Sequence, residues 1–155
     1  MVARTTLVVL SLLLLLLTAC NTSTPGVVQE TGPAPTAPTP SADKSTFAGR
    51  VISSTNEAPI KETVVQLAQI YRDAKTNEAV FALDLARAPG SYTDQNGYFA
   101  ITDVPPGEYA IIVGDYYGTN EVVQESGNAR IFKTEAGKIF NAGVVQVKPN
   151  VSPGK

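Results

Sequence analysis

The residues best suited to chemistry lie in one short stretch, TDQNGYFAITDVPPGEY, residues 93–109. Asp94 and Asn96 precede Gly97 there, an order that occurs both in cation-binding loops and in tight turns. A calcium loop needs about six to eight oxygen ligands, and its helix-loop-helix form carries an acid at the twelfth position. Counted from Asp94, that position is Pro105. The sequence therefore favours a turn, and it predicts no metal site and no cofactor.

Catalytic groups are scarce in the rest of the chain. It contains no histidine and one cysteine, which excludes Ser-His-Asp and Cys-His arrangements and histidine-ligated zinc. Acid/base work by two carboxylates is conceivable for Asp84 with Asp94, or for Asp103 with Asp115. Acids in turns more often cap backbone amides. The sequence therefore predicts a protein that is not an enzyme.

The single cysteine, Cys20, closes an N-terminal targeting segment. Arg4 precedes an apolar run, Leu7–Leu17, which is too short to span a bilayer unaided and is typical of a secretory signal. The following Leu-Thr-Ala-Cys resembles the lipobox of bacterial lipoproteins. The resemblance implies cleavage after residues 1–19, a signal peptide, and acylation of Cys20 by diacylglyceryl and fatty acids such as palmitate. The alternative is an ordinary cleaved signal with an incidental cysteine.

Attachment through lipid on Cys20 predicts a membrane-anchored protein on the extracytoplasmic face. Several acyl chains hold a protein on a membrane far more firmly than one. Removal of Arg4 with the signal leaves 11 basic and 14 acidic residues. With a net negative charge and no cluster of Lys and Arg, nucleic acid is not an expected partner.

Composition divides the remainder into a tether, one domain and a tail. Residues 20–46 consist, after the cysteine, mostly of Pro, Thr, Ser and Gly, which predicts a disordered tether because little apolar surface can be buried. Residues 47–148 form the domain, and residues 149–155 are expected to be a flexible tail.

Apolar residues in the domain alternate with polar ones, which indicates half-buried strands. Turn residues separate these runs at short intervals, and together they predict an all-β, seven-stranded or slightly larger Greek-key sandwich. Residues 94–97 are expected to join a hairpin, and Gly107 to take a positive φ in the following turn. Ala79–Leu85 is expected to form an extra strand. The alternating residues are Phe47, Gly49, Val51, Thr63, Val65, Leu67, Phe99, Ile101, Tyr109, Ile111, Val113, Val145 and Val147.

Several motifs together resemble the carboxypeptidase regulatory-like domain, a transthyretin-like sandwich. They are Gly49-x-Val51, Thr63-Val64-Val65-x-Leu67, Thr93-Asp94-x-x-Gly97-x-Phe99-x-Ile101 and Val104-Pro105-Pro106-Gly107-x-Tyr109. The resemblance implies a non-catalytic module that serves as an accessory unit or as a surface binding or structural unit. Two features depart from the family pattern: the segment between Leu67 and Tyr92 is longer, and the pattern loosens after Tyr116.

A second special possibility is a spontaneous Lys-Asn isopeptide bond, as in the related collagen-adhesin repeats. Lys44 precedes the first strand and Asn141 lies in the last. The glutamate-threonine motif found late in those repeats is missing, so the sequence disfavours this bond.

Tyr116 and Tyr117 form the candidate ligand-binding site, because adjacent aromatic rings flanked by glycines and polar groups suit a sugar. In the alternative interpretation one tyrosine closes the core and the other lies on the surface. The predicted function is a membrane-anchored lipoprotein that displays a binding or structural module, with envelope glycan or envelope protein as partner. The alternatives are an accessory or docking subunit of an envelope transporter or enzyme, and a carboxylate hydrolase.

Overall fold

A computed structural model of the protein describes residues 32–84, 86–114 and 120–148. Strands and turns make up these residues, so the predicted all-β class is confirmed. In these three ranges no helix is long and apolar enough to cross a membrane. Cys20, Tyr116 and Tyr117 lie outside the described residues, as do the signal peptide and the predicted tail.

Eleven strands form within the described residues. In chain order they are β1 (Ser45–Ser53), β2 (Val64–Arg72), β3 (Ala79–Ala82), β4 (Gly90–Tyr92), β5 (Tyr98–Val104), β6 (Gly107–Gly114), β7 (Asn120–Val122), β8 (Gln124–Glu125), β9 (Asn128–Ala129), β10 (Ile131–Thr134) and β11 (Ile139–Val147).

Two sheets form the sandwich. The first has the order β11-β1-β5, with β1 parallel to β11 and antiparallel to β5. In the second, β2 and β6 are central and antiparallel; β3 and β4 share the outer side of β2, and β7 and β10 share the outer side of β6. When two short strands that share one side are counted as one position, the second sheet has four strand positions and the first has three. The two sheets face each other, which confirms the predicted sandwich. The short pair β8-β9 stands apart from both sheets.

The core lies between the sheets and is built by the alternation seen in the sequence. One face of each long strand supplies buried apolar side chains, and four phenylalanine rings pack at its centre. Of the predicted alternating residues, Gly49 and Thr63 are half-buried. The others are buried here: Phe47, Val51, Val65, Leu67, Phe99, Ile101, Tyr109, Ile111, Val113, Val145 and Val147.

The turn at Asp94–Gly97 is confirmed, but the predicted hairpin is wrong. The Asp94 carboxylate accepts hydrogen bonds from the amides of Asn96 and Tyr98, both at 2.8 Å. The flanking strands belong to different sheets, since β4 pairs with β2 and β5 pairs with β1. The turn is a corner that carries the chain from one sheet to the other.

The next turn is also a corner, between β5 and β6, and its geometry differs from the prediction. Asp103 takes the positive φ, 56°, whereas Gly107 does not. The turn is held from the side: the Tyr109 hydroxyl donates to the Pro105 carbonyl at 2.8 Å, and the Gly107 amide donates to the Thr134 hydroxyl at 3.1 Å. These bonds come from β6 and β10, so short-range turn rules did not reveal them.

These corners define the two ends of the sandwich. The Gly97 end contains Gly97 and Gly114, whose carbonyl accepts a hydrogen bond from the Thr63 hydroxyl at 2.7 Å. The Pro105 end contains Pro105 and Ser45, whose hydroxyl donates to the Val104 carbonyl at 3.1 Å. Strands β1 and β2 each run the distance between the ends.

The boundaries near the start of the domain differ from those expected. Strand β1 begins at Ser45, two residues earlier than the predicted domain, because Ser45 and Thr46 are already buried against the sheet. Residues 32–44, which composition assigns to the tether, have defined positions against the domain, and Ala34–Ala37 lie beside β1. The expected extra strand is present as β3, Ala79–Ala82.

Candidate functional site

A pocket of about 300 Å³ opens at the Pro105 end. It forms because β2 continues past the core. Leu67, Gln69 and Tyr71 lie on one face of β2, since alternate residues of a strand point the same way. Leu67 is buried in the core, whereas Gln69 is exposed and Tyr71 is 53% exposed. The inner face of β2 thus changes from apolar to polar and aromatic as the strand leaves the sandwich.

Tyr109 forms the floor of this pocket. It pairs with Gln69 across the sheet and is only 3% exposed. Burial raises the pKa of its phenol above the ordinary value, and the nearby Tyr71 hydroxyl adds to the rise. The hydroxyl therefore stays protonated at physiological pH and keeps its hydrogen bond to the Pro105 carbonyl. The two tyrosines present one fixed and one exposed phenol to the same space.

The opposite wall is the loop that follows β3. The Asp84 carboxylate accepts a hydrogen bond from the Ala86 amide at 3.0 Å, and the Asp84 carbonyl accepts one from the Arg87 amide at 3.0 Å. This tight turn places the Arg87 side chain at the pocket. The Pro89 carbonyl accepts a hydrogen bond from the Leu67 amide at 2.9 Å, which fastens the end of the loop to β2.

An ion pair supports the wall formed by β2. The Arg72 guanidinium donates to the Glu108 carboxylate at 2.8 Å and so joins the end of β2 to the start of β6. Both side chains are about one-third exposed, which limits the stabilisation from this pair to at most about 1 kcal/mol. Its main effect is to hold the strand on which Tyr71 is carried. Tyr71 is further oriented by its hydroxyl, which donates to the Gln69 amide oxygen at 3.0 Å.

The pocket offers a ring face, an amide, a carboxylate and a guanidinium within a small space. A ring face suits the apolar C–H face of a sugar, and the polar groups suit its hydroxyls. The arrangement can bind a polyhydroxylated ligand. The sequence contains a signal for this site in the alternation Val65-x-Leu67-x-Gln69-x-Tyr71, but that pattern does not show where β2 leaves the core.

The structure separates the carboxylates that might have acted together. Asp84 lies at the Pro105 end, while Asp94 forms the corner at the Gly97 end. Ala82, two residues before Asp84, pairs with Gln69, whereas Tyr92, two residues before Asp94, pairs with Val64. These partners lie five residues apart on β2, or roughly 16 Å at about 3.3 Å per residue. Asp84 and Asp94 therefore cannot share a reaction. Asp115, the expected partner of Asp103, lies outside the described residues.

The isopeptide pair is also separated. The Lys44 carbonyl accepts a hydrogen bond from the Gly137 amide, whereas Asn141 pairs with Ala48, four residues farther along β1. That offset is about 13 Å along the strand. The Asn141 side chain instead accepts a hydrogen bond from the Gly143 amide at 2.8 Å. The two residues are not joined.

The loop that holds Tyr116 and Tyr117 lies outside the described residues, although its ends are described. Gly114 of β6 and Asn120 of β7 pair with each other at the Gly97 end. Tyr92 lies at this same end, two strands away, and is 56% exposed. Among the described residues, no group of three or more acidic, cysteine or histidine side chains is placed to hold a metal ion.

Comparison with known proteins shows no family for this chain. No protein family matches the sequence, and no curated protein is similar to it. Membership of the carboxypeptidase regulatory-like family therefore stays a prediction. Solved structures with similar folds include a candidate carbohydrate-binding protein from Pseudomonas aeruginosa, at 14% identity and a TM-score of 0.44, covering 74% of this chain and 100% of that one.

Two pilus proteins are similar at the same low level. The backbone protein of the group B streptococcus pilus 2b has 14% identity and a TM-score of 0.38, covering 69% of this chain and 42% of that one. The major pilin subunit of Bacillus cereus has 17% identity and a TM-score of 0.37, covering 66% and 30%. The chain thus spans less than half the length of these pilus proteins. Similarity at this level carries no argument about ligand or assembly.

Proposed function

We propose that this chain is a lipid-anchored protein of the extracytoplasmic face of the cell membrane, and that its β-sandwich binds a ligand without transforming it. The binding role rests on one observation: at the Pro105 end, the exposed Tyr71 ring stands beside amide, carboxylate and guanidinium groups. The anchoring role rests on the lipobox that ends at Cys20.

The ligand class that fits the pocket is an envelope glycan. A volume of about 300 Å³ is at the small end of ligand pockets, which suits the end or a short portion of a polysaccharide. Tyr71 supplies the ring face, and Gln69, Asp84 and Arg87 supply hydrogen-bonding groups. Tyr116 and Tyr117 remain a second candidate position for the same ligand.

Replacement of Tyr71 is expected to weaken glycan binding. Residues 21–155, without the lipid, would be titrated with polysaccharide fragments from the organism's own envelope. Tyr71→Ala should raise the Kd about tenfold, which corresponds to about 1.4 kcal/mol of lost ring contact. Tyr92→Ala is the matched control, since it removes an equally exposed tyrosine from the other end and should leave the Kd unchanged.

The outcomes separate the two positions. A loss of binding on Tyr116→Ala/Tyr117→Ala, with Tyr71→Ala unaffected, would assign the ligand to Tyr116 and Tyr117 instead. If no envelope glycan is retained by the unmodified protein, the glycan proposal is wrong at both positions.

A second candidate function, an accessory or docking subunit, is favoured by strand β3. All four of its residues are exposed, including Val80 and Phe81, and within the described residues it pairs only with β2. An apolar edge strand can add a partner's strand through backbone hydrogen bonds. Retention of an envelope protein that is lost on Val80→Pro, with no glycan retained, would support this function.

Lipid attachment predicts a change in location on Cys20→Ser. The variant should shift from the membrane fraction to the soluble fraction and should lose incorporation of labelled palmitate, because the sulfur is the only thiol available for acylation. Ser23→Ala, three residues away, serves as the control and should stay with the membrane. A Cys20→Ser protein that remains membrane-bound would contradict the anchor.

A further inference from the structure

A groove of about 400 Å³ runs along the outer face of the first sheet. Its floor is made mainly of small or apolar residues of β1, β5 and β11. Two of the apolar side chains at its border, Ile139 and Val144, are about half exposed. The floor residues are Ala48, Gly49, Arg50, Tyr98, Ala100 and Gly143.

Two glycines, Gly49 and Gly143, line this groove. A Cβ atom at Gly49 would come within 3.0 Å of the Phe99 ring and 3.1 Å of the Gly143 carbonyl oxygen. Gly143 has a positive φ of 71° at a bulge, where the register between β1 and β11 shifts. The Phe99 ring and the Gly143 carbonyl therefore leave no room for a side chain at position 49.

One end of the groove has an aromatic ring in a fixed position. The Arg50 guanidinium lies over the Tyr98 ring at 5.4 Å, and its Nε donates to the Asn96 carbonyl at 2.9 Å. Flat aromatic side chains beside a shallow apolar trough are the features that recognise proline-rich segments. Such segments already favour an extended polyproline conformation, so they lose little entropy on docking.

The chain itself supplies such a segment. Residues 33–40, which we call the strap, read PAPTAPTP. Ala34–Ala37 line the groove. The preceding residue, Gly32, lies beside the Asn96 side chain, since a Cβ atom built on it would be 2.8 Å from the Asn96 side-chain amide nitrogen. The carbonyl of Ala42, just beyond the strap, lies beside Gly137. The strap therefore runs across the sheet antiparallel to β1, from the Gly97 end back to the Pro105 end.

We propose that the outer face of the β11-β1-β5 sheet is the docking site of the strap, and that this contact makes the chain toward Cys20 leave the domain at the Gly97 end. Without the contact, that chain would leave from Ser45, at the Pro105 end. In the anchored protein, which is the proposed function on which this consequence rests, a docked strap turns the Tyr71 pocket away from the membrane. A released strap would turn it toward the membrane.

The direction of exit can be measured in solution with the only thiol of the chain. A spin label on Cys20 of the mature, unlipidated protein broadens the amide signals of nearby residues in NMR spectra. With the strap docked, a coil of this length, which is the conformation that composition predicts, would place the label about 20 Å from Gly32 on average. Gln95 and Asn96 should then be broadened more than Gln69 and Glu108.

Release of the strap should reverse this pattern. Val144→Asp places a charge on the apolar border of the groove without entering the core, since Val144 is 52% exposed. The chain would then leave the domain at Ser45, and the average distance from Ser45 to the label would be roughly 28 Å. The amide signals of Gln69 and Glu108 should then be broadened more than those of Gln95 and Asn96. Pro35→Gly/Pro38→Gly tests the same contact from the side of the strap and leaves the sandwich unchanged.

Val80→Asp is the matched control, because it adds the same charge at an exposed valine of β3, away from the groove. It should keep the pattern of the unmodified protein. Greater broadening of Gln69 and Glu108 in the unmodified protein, or an unchanged pattern in Val144→Asp and in the double proline variant, would overturn the proposal. The experiment uses neither membrane nor glycan, so its failure leaves anchoring and ligand binding to be decided by their own tests.

Discussion

Gly97→Ala is expected to lower the free energy of unfolding by about 3 kcal/mol and the Tm by roughly 15 °C. Gly97 has a φ of 80°, and a Cβ atom there would lie 2.4 Å from the Val51 carbonyl oxygen. That oxygen cannot move aside, because it accepts a hydrogen bond from the Ile60 amide, and the Val51 amide itself donates to the Gly97 carbonyl at 2.8 Å. Urea denaturation followed by circular dichroism would measure the loss.

Gly127→Ala separates backbone conformation from steric contact. Gly127 has nearly the same φ, 83°, but a Cβ atom there would meet nothing within 4 Å. Gly127→Ala should therefore lower the free energy of unfolding by only about 1 kcal/mol, the cost of a left-handed conformation for alanine. Equal losses in the two variants would show that the approach of the Val51 carbonyl does not determine the need for glycine at position 97.

Phe47→Ala is expected to lower the free energy of unfolding by about 4 kcal/mol, the middle of the range for buried aromatic residues. Phe47 is completely buried, and its ring lies 5.0 Å from that of Phe140 and 5.6 Å from that of Phe132. Its removal leaves a cavity at the point where the two sheets meet and ends these ring contacts. The midpoint and slope of urea unfolding would give the change in stability.

Phe81→Ala is the matched control, since it makes the same change at an exposed ring of β3. Phe81→Ala should lower the free energy of unfolding by less than about 1 kcal/mol. If Phe47→Ala does not fold, Phe47→Leu retains most of the volume and should cost about 1.5 kcal/mol. A Phe47 variant no less stable than the Phe81 variant would contradict the central place of this ring in the core.

Local rules predicted the strands well, because alternation depends only on neighbours in the chain. Every apolar position chosen for its period of two is buried, and the Asp94 turn forms as its residue types require. The same rules predicted the wrong connection for this turn. They favoured a hairpin, but the partners of β4 and β5 are β2 and β1, which lie tens of residues away.

The candidate sites show the same limit. Gln69 and Tyr71 continue the pattern of a core strand, and only the end of the opposite sheet leaves them outside the core. Composition assigned residues 33–40 to a disordered tether, since by themselves they bury little surface. Their defined position depends on a groove formed by three strands that come from distant parts of the sequence.

By itself, the sequence determined the strand-forming segments, the buried face of each strand, the turn at Asp94 and the absence of histidine chemistry. The tertiary structure decided which strands pair, which turn residue takes a positive φ, where the Tyr71 pocket opens and where the strap lies. The physical reason is the range of the forces involved. Alternation and turn propensity act within a few residues, whereas pockets and grooves arise only where distant segments pack together.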